Sequence, residues 1–279
     1  MTAQTSVTSD LQQTPYNNKN KLITDDEIRY ILKTYGISEE PRDYNIYRKA
    51  FVHKSYCTRK NENFVDGNVN CPEDCLPLQE ESNERLEFLG DSILNMVVAG
   101  YLFERYSEEN EGWLTRLRTK LVNGKMLAHL SKLLEFNKYI ILSKQIEENE
   151  GRFNSNILED AFEAFIAAIY QDFGEVSGFK HAQSWIIDVL ETNIDFSDLI
   201  KQNHNYKDLF LKYFQHNYSY IPKFYEVKVD TTANNQKIYT ICIKDNNNNI
   251  LSIGKGASKK EAENSAAKAA LERYTDEYK

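Results

Sequence analysis

The chain has 279 residues, 41% of them hydrophobic and 12% aromatic, which is enough apolar material for one large or two modest cores. Its formal charge of −8 and four cysteines argue against a uniformly basic nucleic-acid binder and against a secreted disulfide scaffold. No stretch has the uninterrupted apolar length expected of a membrane span, and Met1–Asp10 lacks the basic-then-apolar pattern of a secretion signal, so an intracellular protein, cytoplasmic or nuclear, is expected.

The average charge hides an asymmetry. From residue 205 onward there are 12 Lys and Arg against 9 Asp and Glu; the preceding part carries 22 against 33. The acidity belongs to the first part and the basic bias to the tail.

In chain order, residues 1–21 are rich in Ser, Thr, Gln and Asn and offer little to bury, so a disordered tail is expected. Thr24, followed three residues later by Glu27, reads as a capping box opening the first helix. The stretches 44–56, 84–106, 112–134, 156–173 and 177–192 follow with helical periodicity. Residues 57–82 form a polar interruption holding Cys57, Cys71 and Cys75. Only Cys71 and Cys75 have zinc-like spacing and a second pair is missing, so a mobile surface loop is expected there.

Two helices carry unusual acids. In Asn83-Glu84-Arg85-Leu86-Glu87-Phe88-Leu89-Gly90-Asp91-Ser92, a turn of about 100° per residue places Glu84, Glu87 and Asp91 within roughly 60° of one another. Leu86, Leu89, Ile93 and Val97 gather opposite, as a core stripe. A wall of like charges is either a solvated face or the side of a cation site. The second helix bears on that choice. Leu158, Phe162, Phe165 and Ile169 form its stripe, while Asp160 and Glu163 lie a turn apart beside the small residues Ala164 and Ala167. Two such helices packed together, each giving a pair of carboxylates, could pool four acids, the inventory for metal-assisted phosphodiester hydrolysis.

Beyond a linker at 198–204, residues 205–279 change period. Asp208–Phe214 is amphipathic. Phe224–Val229 and Lys237–Ile243 alternate as strands, Asp245–Asn249 is a turn before Ile250–Gly254, and an Ala-rich helix runs to Tyr274. The pattern is α-β-β-β-α. Lys259 and Lys260 stand at a helix start, where the dipole and free N–H groups favour phosphate.

Residues 83–92 resemble the signature motif of the ribonuclease III family. Ala50-Phe51-Val52-His53-Lys54-Ser55-Tyr56, Glu111-Gly112-Trp113-Leu114-Thr115-Arg116-Leu117-Arg118 and Leu158-Glu159-Asp160-Ala161-Phe162-Glu163-Ala164 resemble its other motifs, in the right order. The resemblance implies an all-α endonuclease domain over 22–197, with 57–82 as an inserted loop, followed by a small α+β double-stranded-RNA-binding domain over 205–279. It implies Mg²⁺, with Mn²⁺ as a substitute, held by the catalytic carboxylates Glu87, Asp91, Asp160 and Glu163, with Glu84 and Glu111 as accessory acids. It implies cleavage of double-stranded RNA to 5′-phosphate and 3′-hydroxyl ends. Glu159 adjoins this set but matches no family ligand and is expected to be a surface acid or one lying just behind the ligands; His53 is expected to pack or to bond a helix end.

In the C-terminal module the resemblance points to Lys207, Lys255, Lys259 and Lys260 as RNA contacts. Three departures weaken it: Glu263 stands where a third Lys is usual, the loop Thr232–Asn235 lacks the usual Gly-Pro and His, and Leu211 replaces a polar contact. Phe88 lies about 40° from Glu84, off the core stripe, which suggests an interface. The family agrees, implying a homodimer in which this Phe enters a socket on the partner. The rival functions are a catalytically weak or inactive duplex-RNA binder and a di-iron carboxylate bundle. The intact acid set speaks against the first, and the absence of Glu-x-x-His pairs against the second.

Overall fold

The computed structural model describes residues 14–58, 71–201, 206–231 and 237–274. The chain divides into two compact units, 1–196 and 197–279. The first is helical and the second combines a three-stranded sheet with helices.

Helix α1, Asp25–Thr34, opens with the expected capping box between Thr24 and Glu27. The stretch expected as one helix over 44–56 is broken. Helix α2, Tyr44–Lys49, stops, and a 3₁₀ turn follows at Lys54–Tyr56. The backbone between them serves another purpose: Val52 C=O accepts from Asn83 N at 2.8 Å, and the Asn83 side chain donates to Ala50 C=O at 3.1 Å. These bonds fix where helix α3, Glu84–Arg105, begins.

Likewise, the helix expected over 112–134 is two: α4, Glu111–Leu121, and α5, Gly124–Leu133. The Asn123 side chain accepts from Met126 N and so starts a new helix. After a short helix α6, Lys144–Glu148, come α7, Ser155–Phe173, and α8, Glu175–Asn193.

Helix α7 is the axis of this unit and packs against α3, α5 and α8. It is more deeply buried than a one-stripe pattern implies: every residue from Ala161 to Ile169 is buried. Phe51, Phe136, Phe162, Phe165 and Trp185 stack around it, with centroid separations of 5.0 to 6.4 Å. Each such ring contributes about 1.5–3 kcal/mol by leaving water.

Several expectations need correction. Residues 14–21, assigned to the disordered tail, are described and bound. Asn17 donates to Leu142 C=O and Glu147, Asn20 bonds Leu142 at both its N–H and C=O, and the Glu147–Arg152 ion pair lies beneath. Polar side chains do here what apolar ones do elsewhere. The inserted loop is anchored where it is described. Thr58 N and Gln79 N bond Gln79 C=O and Tyr56 C=O, Leu78 is buried with Val52, Tyr56 and Ile141, and Tyr56 O–H donates to Leu76 C=O at 2.7 Å. Cys57, Cys71 and Cys75 form no disulfide among the described residues, and residues 59–70 lie outside them. Finally, α3 with its 22 residues is long and apolar enough to cross a membrane by length and composition alone. Its core stripe instead lies against α7 and α8, and its other face carries Glu84, Glu87 and Asp91.

Helix α9, Phe196–Lys201, begins at the last residue of the first unit, so the first part of the expected linker is helical; 202–205 lie outside the described residues. Helix α10, Tyr206–Tyr218, precedes strands β1, Lys223–Thr231, β2, Lys237–Lys244, and β3, Ile250–Gly256, and then helix α11, Lys259–Tyr274. The sheet is antiparallel in the order β1-β2-β3, with a bulge at Glu226/Lys228. Phe210, Phe214, Ile243, Leu251 and the alanine face of α11 form its core. The loop Thr232–Asn235 lies outside the described residues.

Candidate active site and RNA-binding face

Gly90 decides how the two acidic helices meet. A Cβ at this position would lie 1.8 Å from the Glu163 carbonyl oxygen. Only a residue without a side chain lets α3 approach α7 so closely, and it does so at the level of Glu163 itself. Glu87 and Asp91, one turn apart, flank Gly90; Asp160 and Glu163 face them from α7.

Two buried acids on α7 show what is unusual here. Asp172 accepts from Arg42 N at 2.9 Å, Asp43 N at 2.7 Å and Tyr47 O–H at 2.9 Å, and so anchors α2. Glu163, only 6% exposed, has no hydrogen bond or ion pair among the described residues. Burial and then the repulsion of Asp91, Glu159, Glu87 and Asp160 push its carboxyl up to about 8. Burial, Glu87 and Glu159 push Asp160 up to about 7, against a partial offset from Lys54. Burial and Glu84 raise Glu87 as well.

The structure therefore brings Glu87, Asp91, Asp160 and Glu163 into one electrostatic pool short of positive charge. Its donors are all hard oxygens, the chemistry a small divalent cation requires. Among the described residues, no three His, Cys, Asp or Glu side chains close into a preformed cage.

Two members were not singled out as site residues. Glu159 is a fifth acid: burial and then Glu87 and Asp91 raise its pKa, and its carboxylate lies over Gly124 at the start of α5. The signal was its spacing, four residues before Glu163 on the same helix face. Lys54 brings a cation to the edge of the pool. Its ammonium donates to Glu84 at 2.9 Å, and Glu84, Asp160 and Glu87 all favour its charged form. The hydrogen bond from Lys54 holds the Glu84 carboxyl below its ordinary value. His53 caps the 3₁₀ turn, its Nδ1 accepting from Ser55 N at 3.2 Å.

Glu111 is not brought to the pool. It opens α4, accepts from Thr115 Oγ1 at 3.0 Å, and borders a groove of about 360 Å³ with Ala99, Leu102, Phe103 and Leu114. Ala99 lies eight residues beyond Asp91, about 12 Å along α3. Phe88 is 78% exposed, as its position off the core stripe implies, and Met96 and Phe103 on the same helix are 65% and 71% exposed.

In the second unit, α11 begins at Lys259 as expected, but acids attend its lysines. Lys259 Nζ is 2.9 Å from Glu226 of β1, and Lys207 Nζ is 2.7 Å from Glu263. Ser258 Oγ accepts from Glu261 N, and the Glu261 carboxylate accepts from Ala257 N. Lys255 and Lys260 have no ion pair among the described residues.

Residues 43–192 match the family model described as Ribonuclease-III-like, and residues 206–274 match that described as double-stranded RNA binding motif. A helical nuclease domain followed by an RNA-binding module is the class that fold and acid pool define together. Ribonuclease 3 of Borreliella burgdorferi is 34% identical over 236 residues, 85% of this chain and 87% of that protein. The probable ribonuclease 3 of Acanthamoeba polyphaga mimivirus is 32% identical over 273 residues, 97% of this chain, which spans about half the length of that relative. The nuclease domain of ribonuclease III from Campylobacter jejuni covers 61% of this chain and 99% of its own at 32% identity, with a TM-score of 0.48. The chain belongs to the ribonuclease III family.

Proposed function

We propose that the protein is a divalent-metal-dependent endoribonuclease that hydrolyses double-stranded RNA, leaving 5′-phosphate and 3′-hydroxyl ends. The observation that carries this reading is Glu163: a buried carboxylate with no hydrogen-bond or ion-pair partner among the described residues, pooled with Glu87, Asp91 and Asp160. Evolved cores hydrogen-bond their buried acids, as Asp172 shows, unless an external ligand completes them.

Those four residues would hold Mg²⁺, with Mn²⁺ as a substitute. A cation bound there supplies Lewis-acid polarisation of the phosphoryl oxygens and acidifies water. The chain itself fixes the acids through the Gly90 contact and brings Lys54 to the same edge, where its ammonium can meet a phosphate oxygen. In the hydrolysis, water oxygen bonds phosphorus, the bond to O3′ breaks, and O3′ leaves as a hydroxyl with the proton that water gives up.

The exposed Phe88, Met96 and Phe103 fall within about 80° on α3. This apolar face, with the groove beside it, is the surface proposed to meet a second copy in a twofold dimer.

Incubating the purified protein with a labelled RNA duplex, with and without Mg²⁺, tests the proposal. Wild type should cut only with the metal, and Glu163→Ala should bind duplex but not cut it. Cutting by Glu163→Ala at the wild-type rate would overturn the site; duplex binding without any cutting by wild type would leave an RNA-binding protein only.

A further inference from the structure

The lysines expected to meet RNA are arranged in a chain of alternating charge that ties three elements together. Glu226 on β1 pairs with Lys259 at the first position of α11. Glu263, one helical turn further on, pairs with Lys207 of α10. Lys259 also feels Glu263, so the order is Glu226, Lys259, Glu263, Lys207. The hydrogen bond from Lys259 to Glu226, followed by their charge attraction, holds the ammonium more firmly protonated than usual.

A phosphate oxygen and a carboxylate oxygen compete for the same donors on an ammonium group. Two of the four candidate lysines are thus already engaged by anions of the chain itself, while Lys255 and Lys260 have no such partner among the described residues. Pairs with this much exposure are weak enough for phosphate to displace. Displacement has a second consequence: the released carboxylate remains beside the incoming phosphate and repels it. Position 263, one turn into α11, is itself an acid and adds to that repulsion.

We propose that Glu226 and Glu263 are built-in phosphate competitors that set the affinity and salt dependence of this module for duplex RNA. The inference rests on the proposal that the module binds duplex RNA. Wild type binds with about two phosphate-contacting lysines from this set rather than four. Neutralising an acid releases its lysine to the RNA backbone.

The test uses the full chain with a fluorescent RNA duplex in EDTA, where no divalent metal supports hydrolysis. Affinity is measured across a series of KCl concentrations for wild type, Glu226→Gln, Glu263→Gln and the double variant. Each single change should tighten binding about three- to tenfold near physiological salt and steepen the log–log salt slope by up to about one. Adding Lys259→Gln to Glu226→Gln should cancel that variant's gain, which a purely structural role for the pair does not require. The Lys207–Glu263 pair is the more buried of the two and its loss can loosen α10; Glu226→Gln, at an exposed edge, keeps the test decisive. Variants with unchanged melting temperature, affinity and slope would overturn the inference while leaving duplex binding intact. Failure of wild type and every variant to bind duplex at low salt would remove the RNA-binding reading and this inference with it.

Discussion

Replacing Glu163 by Gln removes a charge that the folded chain does not neutralise, so the substitution should stabilise the metal-free protein while abolishing cleavage. The Glu163 carboxyl is pushed from an ordinary 4.5 up to about 8 by burial and four neighbouring acids. A raised acid contributes stability that is fully present below its unfolded value and is lost as pH rises through the folded value. For Glu163 that window runs from about pH 4.5 to about pH 8. Complete independence of the site would make the loss about 5 kcal/mol. The acids share their repulsion, so the shift does not belong to Glu163 alone and an effect of about 2 kcal/mol is expected. In a domain of this size, that is a melting-temperature gain of about 4–8 °C for Glu163→Gln at pH 8. At pH 5 the two proteins should melt nearly together. Mg²⁺ should then raise the melting point of wild type, more at pH 8 than at pH 6, because it binds the deprotonated pool; Glu163→Gln should respond little. Thermal unfolding by circular dichroism over pH 5–8.5, in EDTA and in Mg²⁺, reads all of this. A variant less stable than wild type at every pH, or protected equally by Mg²⁺, would refute the argument that Glu163 is an unneutralised acid awaiting a cation.

Other outcomes follow from the same geometry. Gly90→Ala forces a methyl against the Glu163 carbonyl, so it should cost about 1–3 kcal/mol and reduce cleavage more than that loss of stability explains, since it spreads the acids; melting and single-turnover cleavage check this. Phe88→Ala should leave the fold of the isolated chain intact, because the ring is exposed, yet shift a dimer towards monomer in sedimentation across a dilution series. A dimer as tight as wild type would remove Phe88 from the interface. Lys255→Ala with Lys260→Ala should weaken duplex binding and lower its salt slope by about two, because both ammonium groups are free to meet phosphate.

Much of this was legible in the sequence because it depends on local periodicity. The acid and core faces of residues 84–97 follow from helical geometry, the Thr24 cap from one tetrad, and the three strands from alternation. What was not legible is what depends on distant partners. No periodicity shows that the backbone of 50–53 is diverted from helix to hold Asn83, or that Asn123 restarts the helix at α5. The polar residues 14–21 looked unburiable, yet Asn17 and Asn20 meet the Leu142 backbone more than 120 residues away. In the same way Lys207 and Lys259 read as free cations from sequence, whereas their carboxylate partners come from other elements.

The charge asymmetry gains its meaning from the site. A chain carrying −8 overall has to bring a polyanion to a cluster of carboxylates that already repel one another. The basic bias of the tail cannot overcome this unaided, because part of it is offset within the module by Glu226 and Glu263. Near the pool, Lys54 is held by Glu84. On the proposed function, a cation from outside the chain would supply the charge that reconciles RNA phosphate with Glu87, Asp91, Asp160 and Glu163. A divalent cation lowers the repulsion among the acids and between acids and phosphate in one event, so the metal should favour docking of RNA at the pool as well as its hydrolysis. Measuring duplex affinity of Glu163→Gln and wild type in Ca²⁺ against EDTA separates the two. A gain in Ca²⁺ confined to wild type is expected, and an equal gain in both would place the metal's effect elsewhere on the protein.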